Sequence, residues 1–151
     1  QQGGAIAAEG GSLVAKATAF YNNSASAGGV AVLSNVDVQI LEDCVASDNH
    51  AAIGGVFWSS GVVTIQGASM PTNKKELGSK VPRLERNFAL HGSAFYNSVG
   101  SGVSISSGFY VYRNAATVGA IYGAPTSTST VTDIRSERNV AFGSGALFAF
   151  R

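Results

Sequence analysis

The sequence predicts an all-β fold, a right-handed parallel β-helix (solenoid) of about five to six coils with one inserted loop. Three observations predict it: a repeat of about 25 residues, short runs of β-branched and aromatic residues, and 19 glycines among 151 residues. Each repeat would form one coil of two or three short strands, paired to the next coil ~4.8 Å away. Right-handed winding is the default for parallel crossovers. An antiparallel β-sandwich is the alternative, but a sandwich has no reason to repeat Asn and Gly in register.

The repeat is marked by an asparagine followed four or five residues later by glycine. Five asparagines stand 26, 38, 27 and 25 residues apart, namely Asn23, Asn49, Asn87, Asn114 and Asn139. An asparagine side chain bonds its own backbone or the same amide one coil away, and it tolerates the left-handed backbone of a turn. We therefore expect these five residues to stack as a structural ladder. The adjoining glycines permit positive φ and close approach of the next coil.

Between these marks lie short strand-like runs, at residues 30–33, 36–41, 62–65 and 109–112. They are rich in β-branched and aromatic residues and are separated by Gly, Ser, Asn and Asp, as turns require. No capping box precedes a long run of helical periodicity. We interpret residues 1–151 as a single β-helix domain, which we expect to be a segment of a longer chain or assembly.

One interval breaks the period, because the step from Asn49 to Asn87 is 38 residues. The surplus falls at residues 69–82, which contain two prolines and the lysines Lys74, Lys75 and Lys80. Insertions in solenoids are typically loops thrown out from one corner. The sequence predicts such a loop here, and its lysines are candidate contacts for a protein partner, with a loop that has no partner as the alternative.

Counting back from each asparagine defines columns of side chains. The third residue back is mostly apolar and should point inward, so its neighbours should point outward. The outward columns are then Arg83/Tyr110/Arg135 and Glu85/Tyr112/Glu137, with Arg86, Arg113 and Arg138 at the corner. The corner arginines are candidate partner contacts, or members of a charge lattice that stabilises the stack. Tyr110 and Tyr112 are candidate carbohydrate contacts.

A second column of aromatic residues follows the glycines, with Phe57, Phe95, Tyr122 and Phe148. Stacked aromatic rings inside a β-helix form core. Trp58 follows Phe57 directly and should face the other way, where its ring could lie against a sugar. Trp58 is therefore the best candidate for carbohydrate binding.

The charges are few and unevenly placed. Residues 1–70 carry one lysine against five carboxylates, a net −4, whereas residues 71–151 carry nine cations against four carboxylates, a net +5. This polarity favours end-to-end association.

No basic run with interleaved aromatic residues indicates nucleic-acid binding, and no run of ~20 apolar residues predicts a transmembrane segment. Cys44 is the only cysteine and is expected to be a small buried apolar residue.

Two short motifs carry a resemblance. Gly3-Gly4-Ala5-Ile6 and Phe20-Tyr21-Asn22-Asn23 match both motifs of the repeats in the chlamydial polymorphic outer membrane protein family, Gly-Gly-Ala-[Ile/Leu/Val] and Phe-x-x-Asn. The sequence resembles that family over most of its length. The resemblance implies a β-helical passenger displayed outside the cell, at the cell surface or secreted. A place in an organelle lumen as part of a complex is the alternative. Asn22-Asn23-Ser24 is a glycosylation sequon at Asn22.

These patterns favour a non-catalytic structural or adhesive module that joins a larger assembly through open ends and surface ladders. Both limits of the sequence are apolar and strand-like, without a polar cap, so protein partners are expected, as self-association or a larger complex. The alternatives are a carbohydrate-active β-helix enzyme (lyase, hydrolase or epimerase), a carbohydrate-binding module, and an accessory scaffold subunit. Glu42, Asp43 and Asp48 are close in sequence but lack a matching carboxylate column. We predict no catalytic residue, metal or cofactor.

Overall fold

The computed structural model describes residues 2–40, 43–60, 62–66, 81–98, 102–106, 109–119, 121–123, 128–131, 134–145 and 148–150. Every strand pairing in this part of the chain is parallel, and no helix occurs in it. The strands stack as a solenoid, so the predicted parallel β-helix class is confirmed and the antiparallel sandwich is wrong.

The described residues form short strands of three to five residues. In chain order they are β1 (Ile6–Glu9), β2 (Ser12–Ala15), β3 (Ala19–Tyr21), β4 (Ser24–Ala27), β5 (Ala31–Ser34), β6 (Asp37–Ile40), β7 (Val45–Ser47), β8 (His50–Ile53), β9 (Phe57–Ser59), β10 (Val62–Gln66), β11 (Arg83–Glu85), β12 (Phe88–His91), β13 (Phe95–Asn97), β14 (Gly102–Ser106), β15 (Phe109–Tyr112), β16 (Ala115–Val118), β17 (Ile121–Gly123), β18 (Thr128–Val131), β19 (Ile134–Glu137), β20 (Val140–Ser144) and β21 (Phe148–Phe150).

Each strand pairs with the strand four places further along the chain, which gives four sheets. Sheet 1 has the order β1-β5-β9-β13-β17-β21, sheet 2 β2-β6-β10-β14-β18, sheet 3 β3-β7-β11-β15-β19, and sheet 4 β4-β8-β12-β16-β20. A coil therefore contains four strands, where the sequence predicted two or three. The difference arises because strands such as Ser24–Ala27 are built from residues with little β propensity.

The register is nearly constant along every sheet. In sheet 3, Ala46, Leu84, Val111 and Ser136 follow one another as paired positions. One shift occurs in sheet 4, between β16 and β20. It adds a residue to the last described coil, so Gly145 and not Gly143 takes the positive φ that Gly119 has in the coil before. A bulge of this kind absorbs an extra residue without breaking the stack.

The core is a narrow apolar column inside the four sheets. Phe57 and Phe95 are 2% and 0% exposed, and their rings stack with centroids 5.5 Å apart. The predicted inward positions Leu84 and Val111 are buried, and Cys44 is buried as expected, its thiol donating to a backbone carbonyl. Burial of each large side chain contributes about 1.5–3 kcal/mol. One of the two inner columns of sheet 4 is entirely alanine, with Ala51, Ala89 and Ala116 buried and Ala25 and Ala141 half-buried.

Paired glycines form the corner between sheets 4 and 1. Gly54 has φ +64°, and a Cβ there would lie 2.4 Å from the carbonyl oxygen of Phe57. A Cβ on Gly55 would lie 2.2 Å from the carbonyl oxygen of Ser93 in the next coil. The first glycine therefore supplies the turn and the second permits close stacking.

The predicted insertion falls between β10 and β11, which residues 67–82 connect, whereas residues 107–108 connect the equivalent strands β14 and β15. Residues 69–80, with Lys74, Lys75 and Lys80, lie outside the described residues. Val81 is 2% exposed, and the carbonyl of Pro82 accepts a hydrogen bond from the backbone N–H of Tyr110 at 3.0 Å. These two residues therefore belong to the solenoid wall and not to an inserted loop.

Candidate interaction surfaces

An asparagine ladder occupies the corner between sheets 3 and 4. In each of Asn23, Asn49, Asn87 and Asn114, the backbone N–H and the side-chain Nδ2 donate to Oδ1 of the asparagine in the next coil, Asn139 being last. The donor–acceptor distances lie between 2.9 and 3.1 Å. Nδ2 of Asn87 also donates to the carbonyl of Ala46 at 3.0 Å, and three other ladder members make the equivalent bond. The three central asparagines are at most 1% exposed, so these bonds satisfy buried amides and fix each coil on the next.

The turn before the ladder is made by the residue that precedes each asparagine. Positive φ values of 53–58° occur at Asn22, Asp48, Arg86, Arg113 and Arg138, and not at the ladder asparagines. Our expectation that the asparagine itself would take the left-handed conformation is wrong. The asparagine side chain points inward and forms the hydrogen bonds of the ladder. The residue before it therefore makes the turn, and the side chain of that preceding residue lies on the outside of the corner.

The guanidinium group of Arg86 forms an ion pair with Asp48. Its Nε lies 2.8 Å from Asp48 Oδ1 and its Nη2 2.7 Å from Asp48 Oδ2, while Nη2 also donates to Ser47 Oγ at 2.6 Å. The Ser47 hydroxyl in turn donates to Asp48 Oδ2. The hydrogen bonds from Arg86 and then from Ser47 lower the pKa of Asp48 to about 2. The same carboxylate raises the pKa of Arg86. As a partner contact, Arg86 would first have to give up this ion pair.

The other two corner arginines are differently placed. The guanidinium of Arg113 lies 5.0 Å from the centroid of the Tyr112 ring, a cation–π contact on an exposed corner. Arg138 is exposed one coil further along. These two neighbouring guanidinium groups are the corner cations most accessible to a partner.

The outward face of sheet 3 has the two columns that the sequence suggested. Arg83, Tyr110 and Arg135 are paired positions, and so are Glu85, Tyr112 and Glu137. Arg135 Nε lies 2.7 Å from Glu137 Oε1, and Arg83 Nη1 lies 3.9 Å from Glu85 Oε1. Each arginine thus pairs with the glutamate two residues on, which makes this face a charge lattice.

The two tyrosines of this face stack on each other. Their ring centroids are 5.5 Å apart with an interplanar angle of 16°, and Tyr110 also donates to Glu137 Oε2 at 3.4 Å. Burial, and then the charge of Glu137, raises the pKa of Tyr110. Because Tyr110 stacks on the Tyr112 ring and Arg113 lies over the same ring, a sugar would have to compete with both contacts for Tyr112.

Trp58 lies on a different face, in sheet 1. It is half-buried and is paired in register with Val32 and Tyr96. A depression of about 260 Å³ beside it is lined by Gln2, Ala27, Val32, Ser34, Ile53 and Trp58. The structure therefore separates the predicted carbohydrate residues, with Trp58 on sheet 1 and Tyr110 and Tyr112 on sheet 3. The predicted glycosylation site, Asn22, is exposed.

The outward face of sheet 4 carries large exposed apolar side chains, which sequence reasoning missed. Among the described residues six large hydrophobic side chains are exposed, and four of them lie here: Phe88 (39%), Leu90 (49%), Val140 (48%) and Phe142 (72%). The signal was present in the alternation of these residues with Ala89 and Ala141. Had the alanines been recognised as the inner column, the larger neighbours would have been placed outside.

Within the described part of the chain, no three His, Cys, Asp or Glu side chains come together as a possible metal site. Nor does that part contain a helix of the length and hydropathy needed to span a membrane. Of the three acids close in sequence, Glu42 lies outside the described residues, and Asp48 is held by Arg86.

Comparison with family models, curated proteins and solved structures gives no match for this chain.

Proposed function

We propose that the chain is a non-catalytic structural or adhesive module, displayed outside the cell, that takes part in a larger assembly. The observation that supports this most is the asparagine ladder, in which every coil is fixed to the next through hydrogen bonds of the same geometry. A solenoid locked in this way presents its outward side chains as columns at a fixed spacing of ~4.8 Å. Such a rod suits a protein that positions other molecules.

The partner of this module is a protein, either further copies or another subunit. The large exposed apolar side chains of sheet 4 support this part of the proposal, since such side chains grouped on one face of a folded domain mark contact sites. Arg113 and Arg138 stand at the edge of that face and add a basic rim. A role as accessory scaffold subunit in a complex belongs to the same class.

Two measurements test this proposal. Surface biotinylation of intact cells of the source organism should label the chain, and labelling only after lysis would contradict the extracellular placement. Purified protein incubated with pectin, alginate and related polysaccharides should release no unsaturated or reducing ends. Turnover that disappears in the Asp48→Asn variant would show an enzyme instead.

Carbohydrate binding is the second candidate function, and the depression beside Trp58 favours it. An aromatic ring next to polar side chains such as Gln2 and Ser34 is the arrangement that small polar ligands use. Trp58 is the only tryptophan, so its fluorescence reports on this site alone. Titration with oligogalacturonides and cello-oligosaccharides should change that fluorescence. Calorimetry should lose the binding in Trp58→Ala and keep it in Tyr112→Ala; equal affinity in both variants would exclude the site.

A further inference from the structure

Two depressions lie side by side on the outside of sheet 1, across its strands β1, β5 and β9. The first, of about 260 Å³, is lined by Trp58 and Ile53, and the second, of about 250 Å³, by Ala7 and Glu9. The residues that line both are Gln2, Val32 and Ser34. Because Ala7, Val32 and Trp58 are paired positions of the three strands, the two depressions follow the axis of the solenoid. We call them together the Trp58 groove.

Three polar side chains of the Trp58 groove form no hydrogen bond to another residue that the structure describes. They are the indole N–H of Trp58, the amide of Gln2 and the hydroxyl of Ser34. The indole only donates, whereas the amide and the hydroxyl both donate and accept. The groove therefore presents available donors and acceptors beside the apolar side chains of Val32 and Ile53, the composition of a site for a polar small molecule.

We propose that the Trp58 groove binds a neutral oligosaccharide along the solenoid axis, with one sugar ring against Trp58 and the next ring towards Glu9. The proposal rests on carbohydrate binding, the second candidate function, and adds the class of sugar and the direction in which it lies. A sugar ring has an apolar face and a rim of hydroxyl groups that donate and accept. An indole ring flanked by an amide and a hydroxyl matches both features.

The backbone beneath the groove favours a sugar over an extended peptide. Strand β5 pairs with β1 on one side and with β9 on the other, so it has no free edge. A peptide that joins a sheet is held by the backbone groups of a free strand edge. Only side chains remain for recognition in the groove, and a ligand rich in hydroxyl groups bonds side chains alone.

Glu9 makes the groove select against acidic sugars. Among the described residues that line the groove, Glu9 is the only charged one. Hydroxyl groups of a neutral sugar can donate to this carboxylate, and such charge-assisted hydrogen bonds are stronger than neutral ones. The carboxylate of a uronic acid would instead meet a like charge without a cation beside it. We therefore expect a neutral disaccharide to bind about tenfold more tightly than a diuronic acid.

Titration of the wild-type chain with cellobiose, glucose and digalacturonic acid tests the class of sugar. An open groove with few hydrogen bonds binds with a Kd on the order of 1 mM, so the titrations extend to about 10 mM. Calorimetry and Trp58 fluorescence should show that cellobiose binds more tightly than glucose, which fills one depression only, and about tenfold more tightly than digalacturonic acid. Equal affinity for cellobiose and digalacturonic acid would overturn the proposal and leave carbohydrate binding intact. No binding of any of the three would overturn both.

Variants with matched controls test the residues of the groove. Glu9→Gln should bring the affinity for digalacturonic acid close to that for cellobiose, whereas Asp48→Asn removes a charge at another corner and should keep the wild-type ratio. Ser34→Ala should weaken cellobiose binding about fivefold, and Ser24→Ala, an exposed serine of sheet 4, should not.

Three results with these proteins would overturn the proposal. The first is an affinity ratio that Glu9→Gln leaves unchanged, and the second is equal cellobiose binding by Ser34→Ala and Ser24→Ala. The third is tighter binding of an end-blocked alanine peptide than of cellobiose, which would assign the groove to a peptide.

Discussion

Asn114 accepts two hydrogen bonds from Asn87 on one side-chain oxygen, from the backbone N–H at 2.9 Å and from Nδ2 at 3.0 Å. Its own Nδ2 donates to the carbonyl of Leu84 at 2.9 Å. A single amide therefore satisfies a donor of the backbone, a donor of a side chain and an acceptor of the preceding coil. Since all three partners belong to one earlier coil, the asparagine sets both the spacing and the register of the stack.

Replacing Asn114 with Ala should lower the free energy of unfolding by about 1–3 kcal/mol, because it leaves buried donors of Asn87 without an acceptor. Urea denaturation measures the change. Asn139→Ala is the comparison, since Asn139 is only half-buried and water can replace its bonds. A loss for Asn114→Ala no larger than that for Asn139→Ala would contradict a stabilising role for the buried ladder.

The left-handed turn before the ladder predicts a substitution that stabilises the chain, where Asn114→Ala destabilises it. Arg138 has φ +55°, a conformation that asparagine adopts more readily than arginine, and Asn22 occupies the equivalent position in the first coil. Arg138→Asn should raise the free energy of unfolding by about 0.5–1 kcal/mol. Arg138→Ala removes the same charge without the conformational benefit and should give no gain. Thermal melting of the two variants side by side decides the matter, and equal melting temperatures would count against the strain.

The ion pair between Asp48 and Arg86, at the corner between sheets 3 and 4, predicts a pH dependence of the free energy of unfolding. The pKa of Asp48 is lowered from 3.8 to about 2, so the folded state binds this proton less readily than the unfolded state. The stabilisation is present above pH 4 and is lost as the pH falls from about 4 to 2. Because the Asp48 side chain is 37% exposed, solvent screening limits the effect to below about 1 kcal/mol.

The variant Asp48→Asn keeps a residue that accepts the left-handed turn and removes the titration. Urea titrations between pH 7 and pH 2 should show the wild-type chain as more stable at pH 7, with the difference shrinking below pH 4. A difference that does not vary with pH would show that the carboxylate contributes nothing through its charge.

The sequence predicted those parts of the molecule that repeat in residue identity. Asn23 to Asn139 recur at visible intervals, and counting from them placed Arg83, Tyr110 and Arg135 in one outward column. Sheet 4 escaped prediction because one of its two inner columns consists of alanines, which have little strand preference and resemble a linker in the sequence. Its outward face was missed for the same reason. The positive φ of the corner arginines was not predicted, because Asn and Gly are the residues that usually adopt this conformation. Here the ladder asparagine that follows each arginine fixes the backbone instead.

Ser93 offers the last test, because it takes the place in its coil that Gly55 has in the coil before. It is 0% exposed, and its hydroxyl has no hydrogen-bond partner among the described residues. Ser93→Ala keeps the Cβ and removes an unpaired polar group, so it should raise the free energy of unfolding by about 1 kcal/mol. Ser47→Ala is the matched control: Ser47 is equally buried, but its hydroxyl bonds Arg86 and Asp48, and its loss should destabilise the chain. Urea denaturation of both variants should therefore give changes of opposite sign, and destabilisation by Ser93→Ala would show that its hydroxyl is bonded in solution.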